Sequence, residues 1–171
     1  MKVEASVVIA KRRDRVWRRI RDIDTYDGFL AGIILWQRIR GEGGLGSRYR
    51  VRMQVGSTPV GGEIEVVEYE RGYEVAWTGV TGIEQRGRIR RRDAPGGTEV
   101  TFRLNYGVPG GGILGFLADR LSAPMVTANV RESLGRLREL VEAPQPARAT
   151  RRGSATARAR PTPRRRSSPA K

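Results

Sequence analysis

The feature that most constrains the fold is a change of hydrophobic period along the chain. From Ile33 to about Tyr106, apolar residues recur at every second position in runs separated by glycine-rich turns. This period predicts β-strands with one apolar face. After residues 108–112 the period becomes three and four residues, which predicts one amphipathic helix of about 28 residues ending near Ala143. One-faced strands need a cover, and this helix is the predicted element long enough to supply it.

Hydrophobic periodicity also indicates the order of the remaining elements. We predict a strand over residues 3–9, a helix over 12–24 and a short second helix or turn over 25–32. Further strands are predicted over residues 47–55, 63–69, 73–78, 83–91 and 98–106, with hairpin turns at 70–72 and 94–97. The expected fold is α+β: a curved antiparallel sheet around a long C-terminal helix. A sheet curled around one helix is expected to leave an enclosed apolar cavity, which is the candidate binding site.

The composition changes at residue 144, and we divide the chain there. Residues 144–171 consist mainly of Pro, Ala, Arg, Ser and Thr, with nine basic side chains and no acidic one. Such a segment buries too little apolar surface to offset its ordering entropy, so we predict a disordered basic tail. The chain has a net charge of +15 from 33 basic and 18 acidic residues. Without the nine basic residues of the tail, residues 1–143 carry only +6.

Absent residue types exclude several chemistries. The chain has no cysteine and no histidine, which excludes Ser-His-Asp and Cys-His nucleophilic catalysis and disfavours zinc or iron sites. We predict no metal and no cofactor. No apolar run is long enough to span a membrane, so no transmembrane segment is predicted. Together with the lack of cysteine, this favours a cytoplasmic protein.

Several short patterns in residues 1–143 resemble the START-like (SRPBCC) superfamily. The opening combines Arg15-Val16-Trp17 with Asp22-Ile23-Asp24-Thr25-Tyr26, and residues 96–101 (GGTEVT) and 134–142 (LGRLRELVE) complete the set. Within that superfamily the chain is similar to the polyketide cyclase/dehydrase and lipid-transport group, which includes coenzyme-Q-binding proteins. The resemblance implies a helix-grip fold. It also implies either binding and transport of a hydrophobic small molecule, or cyclisation of a polyketide in the same cavity.

The candidate ligand-binding residues are those expected to face the helix from the inner side of the sheet, together with the helix residues opposite them. They are Tyr49, Met53, Trp77, Gln85, Phe102, Leu104, Tyr106, Leu121 and Met125. A buried phenol needs a hydrogen-bond partner, so Tyr49 and Tyr106 are candidates to orient a ligand oxygen. No catalytic residue is assigned, although Glu63, Glu65 or Glu68 would become a candidate acid if one of them pointed inward. By strand parity the arginines lie on the outer face; they are Arg48, Arg50, Arg52, Arg86, Arg88, Arg90 and Arg103.

Three functions remain open on this reasoning. The first is a non-enzymatic carrier of a lipid, an isoprenoid quinone or a polyketide-like compound. The second is a cyclase or dehydrase that uses the same cavity. The third is association with nucleic acid through the basic tail, which alternatively contacts an anionic membrane peripherally or has no function.

Overall fold

The computed structural model describes residues 1–55, 57–107 and 112–144, apart from the side chains of residues 55, 58 and 112–122. The strands are β1 (Lys2–Ile9), β2 (Ile33–Arg40), β3 (Arg48–Val55), β4 (Thr58–Glu70), β5 (Glu74–Gly82), β6 (Glu84–Ala94) and β7 (Gly97–Gly107). The helices are α1 (Arg13–Ile20), a 3₁₀ helix (Ile23–Gly28) and α2 (Gly112–Glu142). The predicted tail beyond residue 144 lies outside the described residues.

The strands form one antiparallel sheet in the order β1-β7-β6-β5-β4-β3-β2, with β1 and β2 at its edges. This confirms the predicted α+β architecture. Strand β4 begins earlier than predicted because two glycines conceal the alternation there. A Cβ on Gly62 would lie 1.9 Å from the carbonyl oxygen of Thr81 on β5, so the close approach of these strands requires glycine.

Helix α2 covers the inner face of the sheet, as its period predicts. Its buried residues recur at three- and four-residue steps; they are Val126, Val130, Leu134, Leu137 and Val141. The C-terminal end of α2 is fixed by hydrogen bonds from outside the helix. Arg15 Nε donates to the carbonyl oxygen of Val141 at 2.8 Å, and the Ala10 amide donates to Glu142 Oε1 at 2.8 Å. A guanidinium at this end also complements the helix dipole.

The segment between β1 and β2 differs in detail from the prediction. Helix α1 ends at Ile20 rather than near residue 24, and the 3₁₀ helix follows at once. Tyr26 of the 3₁₀ helix is fully buried, and its hydroxyl donates to the carbonyl oxygen of Ile20 at 2.7 Å. This hydrogen bond satisfies a carbonyl group at the C-terminal end of α1, where the last carbonyls of a helix lack partners within the helix. In the described part of the chain, no helix is long and apolar enough to cross a membrane.

The outer face of the sheet carries cross-strand ion pairs, as strand parity predicts for the arginines. Arg48 pairs with Glu65, Arg50 with Glu63, Arg88 with Glu68, and Arg103 with Glu4. The hypothesis that Glu63, Glu65 or Glu68 points inward is therefore wrong. Each lies on the outer face beside an arginine that neutralises its charge. For Glu63 and Glu65 the arginine is on the neighbouring strand β3, and for Glu68 it is on β6, across β5.

The most buried of these ion pairs is centred on Glu74, whose side chain is only 5 % exposed. Its carboxylate contacts Arg88 Nη1 at 3.1 Å and Arg90 Nε at 2.7 Å. Burial raises the pKa of Glu74, but the hydrogen bonds with Glu68 and Arg90 outweigh burial and leave the pKa below its ordinary value. The same hydrogen bond raises the pKa of Glu68, so a proton joins Glu68 first as the pH falls.

We expect Glu74→Gln to lower the free energy of unfolding by about 1–3 kcal/mol at neutral pH, because it removes the buried charge facing two arginines. A folded-state pKa below the ordinary value contributes stability above about pH 4.5, and this contribution disappears as the pH falls. Urea unfolding at pH 7 and pH 3.5 should therefore show a smaller difference from wild type at the acidic pH. Glu65→Gln is the matched control, since that pair is about one-third exposed on each side and should cost less than about 1 kcal/mol. If Glu74→Gln lowered the free energy of unfolding equally at both pH values, the lowered pKa of Glu74 would be contradicted.

Trp77 lies directly over Gly87, its cross-strand partner on β6. A Cβ on Gly87 would lie 2.1 Å from the six-membered ring of the indole. Glycine at this position therefore allows the ring of Trp77 to lie flat against the inner face of the sheet.

We expect Gly87→Ala to destabilise the protein by about 1–3 kcal/mol, because the methyl group displaces the Trp77 ring from a packed core. Urea unfolding gives the free energy, and near-UV circular dichroism reports the displaced indole. Gly135→Ala is the matched control, since nothing lies within 4 Å of a Cβ there and alanine should stabilise α2 by up to about 1 kcal/mol. Equal effects of the two substitutions would argue against the contact with Trp77.

Candidate ligand cavity

A cavity lies between α2 and the inner face of the sheet, where the predicted site was placed. Helix α2 contributes Val126, Asn129, Val130 and Ser133, and residues 29–32 contribute Leu30 and Ala31. The sheet contributes Ile33, Trp36, Val51, Met53, Trp77, Gln85, Phe102 and Leu104. The volume is about 40 Å³, which accommodates about two or three water molecules.

Aromatic side chains account for this small volume. The rings of Trp36 and Trp77 meet edge to face at 6.3 Å, and Phe102 lies 6.0 Å from Trp77. The indole of Trp36 is held in place because its Nε1 donates to the carbonyl oxygen of Ile23 at 2.8 Å. The expected concavity is thus present, but in this conformation its own aromatic lining fills most of it.

The structure brings five of the nine candidate residues together on the cavity wall. These are Met53, Trp77, Gln85, Phe102 and Leu104. Ligand binding at these residues remains a prediction.

Three of the other four candidates lie away from the described cavity wall. Tyr49 is fully buried in the core, and its hydroxyl donates to Asp24 Oδ1 at 2.9 Å. Tyr106 packs at the margin of the core, and its hydroxyl contacts Met1 Sδ at 3.2 Å. Met125 is 39 % exposed, because the inward stripe of α2 passes through Val126 and one helical position turns a side chain by about 100°. The side chain of Leu121 lies outside the described residues.

Sequence reasoning missed Trp36, Asn129 and Ser133 as wall residues. Trp36 was missed because two irregularities in the pairing of β2 with β3 interrupt the alternation of β2. Asn129 and Ser133 did leave a signal. They are four residues apart and flank Val130 on an otherwise apolar stripe, where polar residues are unexpected unless they are hydrogen-bonded.

Ser133 joins α2 to the loop that closes one side of the cavity. Its Oγ accepts a hydrogen bond from the Ala31 amide at 2.9 Å and donates to the carbonyl oxygen of Asn129 at 2.6 Å. The Asn129 amide lies against Gly32, where a Cβ would be 2.5 Å from Nδ2. Gly32 also has a φ of +78°, which favours glycine. We call the contact between Ser133 and Ala31 the α2 latch.

The buried phenols of this protein do not serve as bases. Burial raises the pKa of Tyr26 well above its ordinary value. Burial, and then the hydrogen bond to Asp24, raise the pKa of Tyr49 as well. Both phenols therefore keep their protons and act as donors. Asp24 also forms an ion pair with Arg38, whose Nε lies 3.4 Å from Oδ1. The Tyr49 hydroxyl therefore belongs to a group of structural contacts beside the cavity.

The lining is uncharged across the residues that the structure describes. Its polar side chains are Gln85, Asn129 and Ser133, together with the indoles of Trp36 and Trp77. None of these ionises near neutral pH. Over the same residues, no group of three acidic side chains is placed to hold a metal ion. The described wall can bury an apolar body and offer hydrogen bonds, without a proton donor or acceptor of matched pKa.

Comparison with known proteins agrees with this geometry. Residues 1–142 match the family model described as polyketide cyclase / dehydrase and lipid transport. The search of curated proteins gives no significant match. Among solved structures, TTHA0849 from Thermus thermophilus is 22 % identical with a TM-score of 0.71, over 82 % of this chain and 97 % of that one. Zhui, an aromatase/cyclase from a Streptomyces species, is 16 % identical with a TM-score of 0.63, over 83 % of this chain and 93 % of that one. The chain belongs to the polyketide cyclase/dehydrase and lipid-transport family and has its helix-grip fold.

Proposed function

We propose that this protein binds and carries a neutral hydrophobic small molecule in the cavity between α2 and the sheet. The observation that carries the proposal is the composition of the described wall, which is aliphatic and aromatic with uncharged polar groups. Burial of an apolar ligand there would supply most of the affinity, at about 25 cal/mol per Å² before the costs of ordering. The amides of Gln85 and Asn129 would orient one or two ligand oxygens.

The ligand requires more space than the closed cavity provides. Binding sites for small organic molecules usually span about 300–1,000 Å³, whereas this cavity has about 40 Å³. The sheet side of the wall is one hydrogen-bonded unit from β1 to β2, so expansion there would break backbone hydrogen bonds. Movement of α2 away from residues 29–32 breaks mainly apolar contacts and the α2 latch.

The C-terminal end of α2 would serve as the pivot. Arg15 and Glu142 hold that end to α1 and to the end of β1. Pro124 lies inside the helix on the other side of the latch, and a proline removes one backbone hydrogen bond of the helix. We therefore propose that α2 swings away from the loop of residues 29–32 when ligand enters.

The alternative function is a cyclase or dehydrase that uses the same cavity. Zhui is an aromatase/cyclase, and this supports the alternative through likeness of fold alone. The described lining favours carriage, because acid–base catalysis normally uses an ionisable group within hydrogen-bonding reach of the substrate. Roles for the basic tail on membranes or nucleic acid remain predictions.

The first test is to identify what the purified full-length protein holds. Native mass spectrometry followed by solvent extraction should find a neutral hydrophobic compound in near-stoichiometric amount. After incubation with a quinone or an aromatic polyketide, the compound should be recovered with its mass unchanged. A product of altered mass would favour the enzyme, and a protein that takes up neither class of compound would overturn the proposal.

We expect Val130→Phe to weaken ligand uptake at least tenfold, because the added ring occupies space on the cavity wall. Quenching of tryptophan fluorescence by a quinone measures the uptake, since Trp36 and Trp77 both line the cavity. Leu140→Phe is the matched control, because Leu140 lies on the same helix but is exposed. If both variants bind like wild type, the ligand does not occupy this cavity.

The affinity for a neutral ligand should stay constant within about twofold between pH 5.5 and 8.5, because none of the described wall residues ionises in that range. Titrating the same quinone at several pH values checks this. A bell-shaped or sigmoidal dependence would indicate an ionisable group at the site and would favour the cyclase.

A further inference from the structure

Each irregularity in the pairing of β2 with β3 and of β4 with β5 presents an exposed aliphatic side chain. The extra residues at these β-bulges are Ile34 and Ile39 on β2, Val67 on β4 and Val80 on β5. All four are exposed, Ile34 by 56 %. A polar residue would be hydrated at such a position at no cost in packing. Where such side chains cluster with other exposed apolar groups along one part of the surface, they mark an interaction site.

Not every arginine of the outer face takes part in the ion pairs. Across the described residues, Arg40, Arg52 and Arg86 form no ion pair. Two of the three lie beside a bulged isoleucine. Arg40 follows Ile39 directly, and Arg52 is the cross-strand partner of Leu35, the residue after Ile34.

These groups lie along one boundary of the sheet, because β2 is an edge strand. Ile34 and Ile39 are five residues apart, which corresponds to about 16 Å along a strand. Leu45 lies beyond the Ile39 end in the loop from β2 to β3 and is 68 % exposed. We call Ile34, Ile39, Arg40, Leu45 and Arg52 the β2 edge.

We propose that the β2 edge docks the folded domain onto an anionic lipid bilayer. Its aliphatic side chains would enter the interface between headgroups and acyl chains, and its two arginines would contact lipid phosphates. The exposed aliphatic groups suit the apolar layer of such a surface, and the neighbouring arginines, which form no ion pairs, suit its anionic headgroups. This role does not depend on what the cavity binds.

Other partners fit this edge less well. Pairing with the edge strand of a second copy would need a regular row of free backbone groups, and the bulges at Ile34 and Ile39 interrupt that row. Single-stranded nucleic acid would favour exposed aromatic rings for base stacking. Trp36, the aromatic residue of β2, instead faces the cavity.

The absence of cysteine from the chain allows a position-specific test in the full-length protein. Ile34→Cys and Leu45→Cys are labelled with an environment-sensitive fluorophore, and Val80→Cys is the matched bulge away from the edge. The labelled proteins are mixed with vesicles of phosphatidylcholine containing about 30 % phosphatidylserine, or of phosphatidylcholine alone. We expect a blue shift from both edge labels on the anionic vesicles and none from the label at Val80.

The charge contribution is tested by sedimentation with the same anionic vesicles near physiological salt. Arg40→Gln combined with Arg52→Gln should weaken the partition coefficient by about 25-fold, since each cation near the surface contributes about fivefold. Arg86→Gln removes another arginine without an ion pair, elsewhere on the sheet. It should change the partition coefficient by less than about twofold, because salt screens distant charges.

Three results would overturn the proposal. One is the absence of binding to anionic vesicles, and another is an equal loss in the edge and control variants. The third is binding without a shift of the edge labels, which would show that another surface, such as the basic tail, makes the contact. The label readout therefore separates the β2 edge from the nine basic side chains of residues 144–171.

Discussion

The packing of the apolar stripe of α2 against the inner face of the sheet is the contact on which the rest of the structure depends. Val130, Leu134, Leu137 and Val141 are almost completely buried in it, and each contributes about 1.5–3 kcal/mol relative to exposure. The same contact defines the cavity, because Asn129 and Ser133 lie beside the apolar stripe of α2 and line the space between the helix and the sheet. The residues of the core and those of the candidate site therefore lie on one surface. A substitution on this surface is expected to affect both stability and ligand binding.

The aromatic residues of the cavity have two roles. In the closed conformation Trp36, Trp77 and Phe102 fill the concavity, so the protein has a packed core without ligand. The same rings would form an apolar wall for a ligand after α2 moves. Tyr26 and Tyr49 support them from outside the cavity, with their hydroxyls engaged by the carbonyl oxygen of Ile20 and by Asp24. This arrangement leaves no phenol of the described residues facing the cavity as an acid or base.

The sequence predicts most of the fold and part of the site, for physical reasons that differ between elements. Strand β7 alternates without interruption, so Phe102 and Leu104 could be placed on the inner face from parity alone. Strand β2 could not be read in this way, because its bulges at Ile34 and Ile39 shift parity twice within eight residues, and this hid Trp36. Met125 was misplaced by one helical position. The cavity volume was beyond prediction, because it depends on ring orientations fixed by long-range contacts, such as the hydrogen bond from Trp36 to Ile23.

The central claim is that α2 must separate from the loop of residues 29–32 for a ligand to enter. A double variant, Ala31→Cys with Ser133→Cys, places one thiol on each side of the α2 latch, where the Ala31 amide and Ser133 Oγ are 2.9 Å apart. The chain has no other cysteine, so oxidation can form only this disulfide within the molecule, and mass spectrometry verifies that it has formed before uptake is measured. Quinone uptake by this variant should be lost when the disulfide is formed and restored when it is reduced. Equal uptake by the oxidised and reduced forms would contradict the account, because ligand would then enter without movement of α2 at the latch.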